Sequence, residues 1–162
     1  MTGRVLPGTI SPTRPLGGDR MRDRFPILVH TILRRDDRVL LLRRARTGFL
    51  DGWYALPGGH LERGEGIRDC AVREVAEEAG VRVAPSALEP FAALAYRSDG
   101  DQGVNFLFSC RQFQGEPRLA EPALFDDLRW CRPGEFPERT VHYIEEALDV
   151  AAHREWFRDL VP

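Results

Sequence analysis

Between Ile67 and Gly80 the sequence keeps a helical period, yet the stripe that begins as Ile67, Cys70 and Ala71 continues one turn later as Glu74 and Glu78. Glu77 lies beside them, because positions three and four apart are neighbours on a helix surface. Three carboxylates therefore fall where a core-facing stripe calls for hydrophobes. Two carboxylates about 4 Å apart repel by roughly 4 kcal/mol at an effective dielectric of about 20, and burial adds a desolvation cost for each. A divalent cation between them removes the conflict. Oxygen ligation, with no thiolate or imidazole at ligand spacing, favours Mg²⁺ or Mn²⁺ over zinc. The same triplet also suits a solvated helix face. Arg73 beside Glu74, Glu65 ahead of the helix and the turn Pro57-Gly58-Gly59, which lets backbone carbonyls approach an ion, tip the reading toward the cation.

Composition narrows the alternatives. All 23 basic residues are arginine, so Schiff-base chemistry and the lysine of a Walker-type phosphate loop are excluded. Acids number 25, the net charge is −2, and no stable nucleic-acid binding is expected. Cys70, Cys110 and Cys131 are odd in number and widely spaced, which fits a reducing, cytoplasmic setting better than a disulfide framework or a zinc site. No stretch is long and apolar enough to span a membrane.

Residues 1–24 hold three prolines, four glycines and five arginines without apolar periodicity, and are expected to form a flexible tail, with Met21 an alternative start. Residues 25–162 are expected to form one domain. An apolar run from Phe25 to Leu33, the turn Asp36-Asp37 and Val39–Leu42 predict a β-hairpin. A short strand at 53–56, a helix over 67–80 capped by Gly80, strands near 88–97, 104–112 and 127–131, and a helix over 140–151 follow. The turn between the middle two strands is placed at Asp99-Gly100-Asp101. The order indicates a mixed α/β (α+β) domain with a helix packed on a sheet.

The segment Gly59–Val81 resembles the signature of the Nudix hydrolases, the MutT-like pyrophosphohydrolases: G-x5-E-x7-R-E-U-x-E-E-x-G-U, where U is bulky and aliphatic. Gly59 is followed by Glu65 and then by Arg73-Glu74-Val75-Ala76-Glu77-Glu78-Ala79-Gly80-Val81, so every specified position matches. The resemblance implies a Nudix fold, a mixed β-sheet sandwiched between helices. It also implies Glu74 and Glu78 as the principal metal ligands, the Gly59 carbonyl as a further one and Glu77 as a ligand or water-positioning group, with Arg73 orienting the glutamates and Glu65 supporting the loop–helix geometry.

The chemistry that this set implies is attack of water on one phosphorus of a diphosphate linkage in a nucleotide, assisted by Mg²⁺ or Mn²⁺. The general base is either a box glutamate or a downstream carboxylate, with Glu121 ranked above Glu116. Arg43, Arg44 and Arg46 adjoin a strand end and are candidates for phosphate contacts, although exposed arginines are common at hairpins. Trp53, Phe49 and Tyr96 are candidates for stacking, and Asn105 for reading a base edge; aromatics at such places also serve as core. His60 and His142 lack ligand-like spacing. The leading substrate is a nucleoside or deoxynucleoside triphosphate, cleaved to monophosphate and pyrophosphate, ahead of ADP-ribose or another nucleoside diphosphate sugar. A nucleotide-sensing domain without turnover is the reading from another class. A monomer or homodimer is expected.

Overall fold

The structure is a computed structural model that describes residues 24–98 and 101–160. The expected tail, apart from Arg24, and the centre of the Asp99-Gly100 turn lie outside the described residues.

Eight strands and two helices follow in the order β1 (Ile27–Arg35), β2 (Arg38–Arg44), β3 (Tyr54–Ala55), β4 (Gly58–His60), α1 (Ile67–Ala79), β5 (Glu89–Ser98), β6 (Asp101–Cys110), β7 (Phe125–Cys131), α2 (Tyr143–Ala152) and β8 (Phe157–Leu160). They form a mixed sheet ordered β3-β2-β1-β6-β5-β8, with β4 pairing on β1 and β7 on β2. β1 and β6 run parallel from Ile27↔Val104 to Leu33↔Cys110, and β5 pairs parallel with β8.

The sheet is covered on both faces, and strand alternation assigns each face to one helix. Along β1, Val29 and Leu33 join Cys70, Ala71, Val75 and Ala79 of α1. Ile32 faces the other way, into the cluster holding Ile144, Ala147 and Val150 of α2. Covering both faces explains why Val39–Leu42 of β2 are buried without alternation. Each such side chain contributes about 2 kcal/mol of transfer free energy. α1 stops where the sequence predicts: Gly80 takes φ 68°, a left-handed conformation that costs glycine no Cβ clash.

Two strands are additional to those expected from sequence. Gly58–His60 reads as punctuation because glycine is depleted in strands. In the fold these glycines let β4 press on β1, since a Cβ on Gly58 would stand 2.7 Å from both Cα and Cδ2 of His30. β8 is four residues long and carries too little alternation to predict. The strand expected at 104–112 begins earlier, at Asp101, and the last helix begins later, at Tyr143.

Candidate active site

α1 turns its apolar stripe inward and carries two glutamates with it. Glu74 is 8% and Glu78 7% exposed, among Cys70, Ala71, Val75 and Ala79. Gly58 N–H donates to Glu78 Oε2 at 2.9 Å. That bond favours the carboxylate, but burial outweighs it, and with Glu74 and Glu121 nearby the Glu78 pKa is pushed up to about 8. Burial also raises Glu74, against the pull of Arg73.

Arg73 organises the acidic cluster. Its Nε and Nη2 grip Glu65 Oε1 and Oε2 at 2.8 and 3.0 Å, a bidentate pair, and Nη1 reaches Glu74 Oε1 at 2.6 Å. Nη2 also donates to the His60 carbonyl at 3.2 Å, tying the helix to the end of β4. The guanidinium, helped by the Glu62 N–H, holds Glu65 down at about 2. Arg73 itself is raised in turn, chiefly by Glu65.

Glu77 departs from the expected convergence of three carboxylates. Its side chain is 48% exposed and pairs with Arg73 Nη1 at 3.1 Å. The reason is angular: Glu74 and Glu78 lie about 40° apart around the helix, whereas Glu77 lies about 100° from Glu78. The inward pair is therefore Glu74 and Glu78, with Glu77 on the rim.

A downstream segment brings the next acid. Arg118 N–H donates to Ala79 O and Ala120 N–H to Glu78 O, satisfying carbonyls that the end of α1 leaves open. This places half-buried Glu121 where its charge acts on both Glu74 and Glu78. Glu116 is diverted: Arg35 holds both of its oxygens at 2.8 and 3.1 Å on the exposed surface.

The arginines divide similarly. Arg43 is held by Asp126 at 2.6 Å, and Arg46 donates to the Ala123 and Pro122 carbonyls. Arg44 donates through Nε and Nη2 to Phe49 O and Thr47 Oγ1, and its charge acts on Glu78. Trp53 packs partly buried against the α2-side core. Tyr96 pairs across to Gly103, where a Cβ would stand 2.5 Å from its hydroxyl. His60 contributes its carbonyl to Arg73 rather than a ring nitrogen, and His142 is exposed at the start of α2.

Asn105 is buried on β6 with Oδ1 unpartnered. It does not stand alone. His30 Nδ1 is likewise buried without a hydrogen bond, and its ring lies 4.6 Å from that of Tyr143. Burial and the nearby Arg44 push His30 down to about 3, so it is neutral at pH 7. Sequence reasoning missed His30, which sits in an apolar run that reads as core, and Tyr143, a lone aromatic at the start of a helix. The one signal available is a histidine in a stretch, residues 27–33, otherwise made of aliphatic residues and threonine.

Among the described residues no three acidic, histidine or cysteine side chains already stand together as a metal cage. What the site offers is two buried carboxylates with raised proton affinity, one of them pressed against the backbone of β4. A Cβ on Gly59 would stand 2.5 Å from Glu74 Oε1. Hard oxygen donors, one of them held protonated for want of a positive partner, suit Mg²⁺ or Mn²⁺, so the residues fit such an ion.

The fold and site define a mixed α+β hydrolase-type domain built on an acidic loop–helix–loop. The chain belongs to the Nudix family: the NUDIX domain model matches residues 24–160. It is 33% identical over 93 residues to the Nudix hydrolase YvcI of Bacillus subtilis, covering 55% of this chain and 56% of that protein. It is 32% identical over 103 residues to the human 8-oxo-dGDP phosphatase NUDT18, covering 64% of this chain and 30% of that one. The matched stretch thus spans about half of the first relative and about a third of the second. The crystal structure of a MutT NUDIX hydrolase from Burkholderia pseudomallei superposes with a TM-score of 0.72 at 25% identity, over 78% of this chain and 98% of that one. Among the described residues no helix is long and apolar enough to cross a membrane.

Proposed function

We propose that this Nudix domain hydrolyses a diphosphate linkage in a nucleotide, with a nucleoside or deoxynucleoside triphosphate as substrate and a nucleoside monophosphate and pyrophosphate as products. The observation that carries the reading is the buried pair Glu74–Glu78, whose repulsion Arg73 offsets only at Glu74. Glu74, Glu78 and the Gly59 carbonyl are the residues that would hold Mg²⁺ or Mn²⁺, with Glu77 close enough on the helix to join them. A divalent ion bound there supplies charge screening of the phosphate oxygens and acidifies water.

The remaining roles belong to the chain itself. Glu121 accepts the proton of the attacking water as its oxygen bonds to phosphorus and the bridging P–O bond breaks, with the electron pair leaving on the departing phosphate. Arg73 keeps Glu74 ionised and fixed in place, and Glu65 fixes Arg73. Arg44, with one guanidinium nitrogen not engaged by the loop, meets the substrate's phosphates, and Asn105 offers a hydrogen bond to the nucleoside. The relative that acts on 8-oxo-dGDP is in keeping with a nucleotide substrate.

The test is a panel of nucleoside triphosphates, nucleoside diphosphate sugars and ADP-ribose, each with Mg²⁺ or Mn²⁺, with products identified by mass. Monophosphate and pyrophosphate from a triphosphate is the expected result. Turnover confined to ADP-ribose or a diphosphate sugar would move the substrate class. Binding without turnover across the panel would identify a sensor and contradict the proposal.

A further inference from the structure

The loop between β2 and β3 is built to hold an aromatic ring in water. Phe49 is 67% exposed, with Leu50 and Leu124 also exposed. A floppy loop would explain that exposure, but this one is braced. Asp51 accepts from Thr47 N–H, Thr47 Oγ1 and Gly48 N–H at 2.9, 2.7 and 3.2 Å. Arg46 donates to the Ala123 and Pro122 carbonyls at 3.0 and 2.6 Å, and Ala45 N–H to Leu124 O at 2.8 Å. Arg46, Gly48, Leu50 and Gly52 all take left-handed φ, between 52° and 83°. For Arg46 and Leu50 that conformation costs free energy, and such strain persists where the surroundings over-determine it, most often at functional sites.

The braced loop is joined to the active site on two sides. The Pro122–Leu124 segment that it grips continues directly from Glu121, whose carbonyl accepts from Leu124 N–H. Arg44 lies 5.9 Å from the Phe49 ring centroid and donates to the Phe49 carbonyl. A planar apolar surface thus adjoins a cation, whose charge in turn acts on Glu78 of the acidic pair. That sequence of groups complements a nucleotide: a flat base, then anionic phosphate, then the cleaved linkage.

We infer that Phe49 is the surface on which the substrate's nucleobase stacks, with Arg44 between that ring and the glutamates. The inference rests on the proposed hydrolysis of a nucleotide and adds the residue that holds the base, whichever base it is. A base–aromatic stack is sequence-tolerant, because every base has a π-face.

The experiment compares wild type, Phe49→Ala and Phe49→Trp, using dGTP as substrate and inorganic tripolyphosphate as a base-free competitor. Phe49→Ala should raise KM for dGTP about tenfold at unchanged kcat, as loss of one stack implies. The Ki of tripolyphosphate should stay constant, and Phe49→Trp should restore KM. The inference is overturned if KM moves less than twofold, or if KM and Ki rise together. It is equally overturned if Phe49→Ala converts a dimer into a monomer, which would make the patch a contact between copies. Should wild type hydrolyse no nucleotide, the proposed activity fails separately, and calorimetric dGTP binding decides: a Kd unchanged in Phe49→Ala overturns the stack.

Discussion

Gly59 is shaped around the Glu74 carboxylate: a methyl group there would stand 2.5 Å from Oε1 and 2.8 Å from the carboxyl carbon. The obstruction is the far end of a side chain, so an alanine can be accommodated by swinging Glu74 away. Gly59→Ala should therefore lose at least about a hundredfold in kcat while its melting temperature changes by less than about 3 °C. Gly58→Ala meets the His30 backbone instead and cannot be relieved so cheaply. It should cost about 3 kcal/mol of stability, measured by urea unfolding.

Removing Arg73 leaves Glu65 and Glu74 without the partner both share. Arg73→Ala should lose activity and about 2 kcal/mol of stability, below the cost of a fully buried pair because the guanidinium is partly exposed. Arg73→Lys should recover part of the stability and little of the rate, since an ammonium cannot hold Glu65 in a fork while reaching Glu74. Equal recovery of both would contradict the orienting role.

Glu78 links stability to pH. Its folded pKa of about 8 lies above the ordinary 4.5, so between those values the folded state holds a proton that the unfolded chain releases, and stability falls as pH rises. His30 acts in the opposite sense. With its pKa lowered from 6.5 to about 3, it removes stability as pH falls below about 6.5. Above pH 6.5 the Glu78 effect stands apart from that of His30. Metal-free protein should melt lower at pH 8 than at pH 6.5, by about 4 °C, and Glu78→Gln should flatten that slope. Added Mg²⁺ should raise the melting temperature of wild type more at pH 8 than at pH 6.5. A slope unchanged in Glu78→Gln would contradict the assignment.

Glu121 and Glu116 are both downstream acids, and their settings predict different outcomes. Glu121→Gln should reduce kcat by about a hundredfold or more, the scale of a lost general base, with little change in KM. Glu116→Gln should leave kcat unchanged and the melting temperature nearly so, because its pair with Arg35 is exposed. Steady-state kinetics on both variants checks the ranking.

Much of this was legible in the sequence where a local rule and the global fold agree. The α1 boundaries followed from period and from Gly80, and the inward turn of Glu74 and Glu78 followed from their place on the Ile67–Cys70–Ala71 stripe. Glu77 falls outside the inward pair because it faces about 100° away from Glu78 around the helix, a difference that sequence proximity alone does not show. β4 was hidden because its glycines serve close approach, Gly58 to His30 and Gly59 to Glu74, rather than strand propensity. The pairing of His30 with Tyr143 was illegible for a different reason: β1 and α2 bring the two rings together, and sequence spacing carries no trace of that juxtaposition.

The account turns on Glu78 as a ligand within a catalytic pair, so its most direct test is turnover of a nucleoside triphosphate by Glu78→Gln at saturating Mg²⁺, beside a calorimetric Mn²⁺ titration. The prediction is a folded protein with kcat down by about a thousandfold or more and Mn²⁺ affinity weakened in parallel. A folded variant that keeps wild-type turnover and wild-type Mn²⁺ affinity would contradict it.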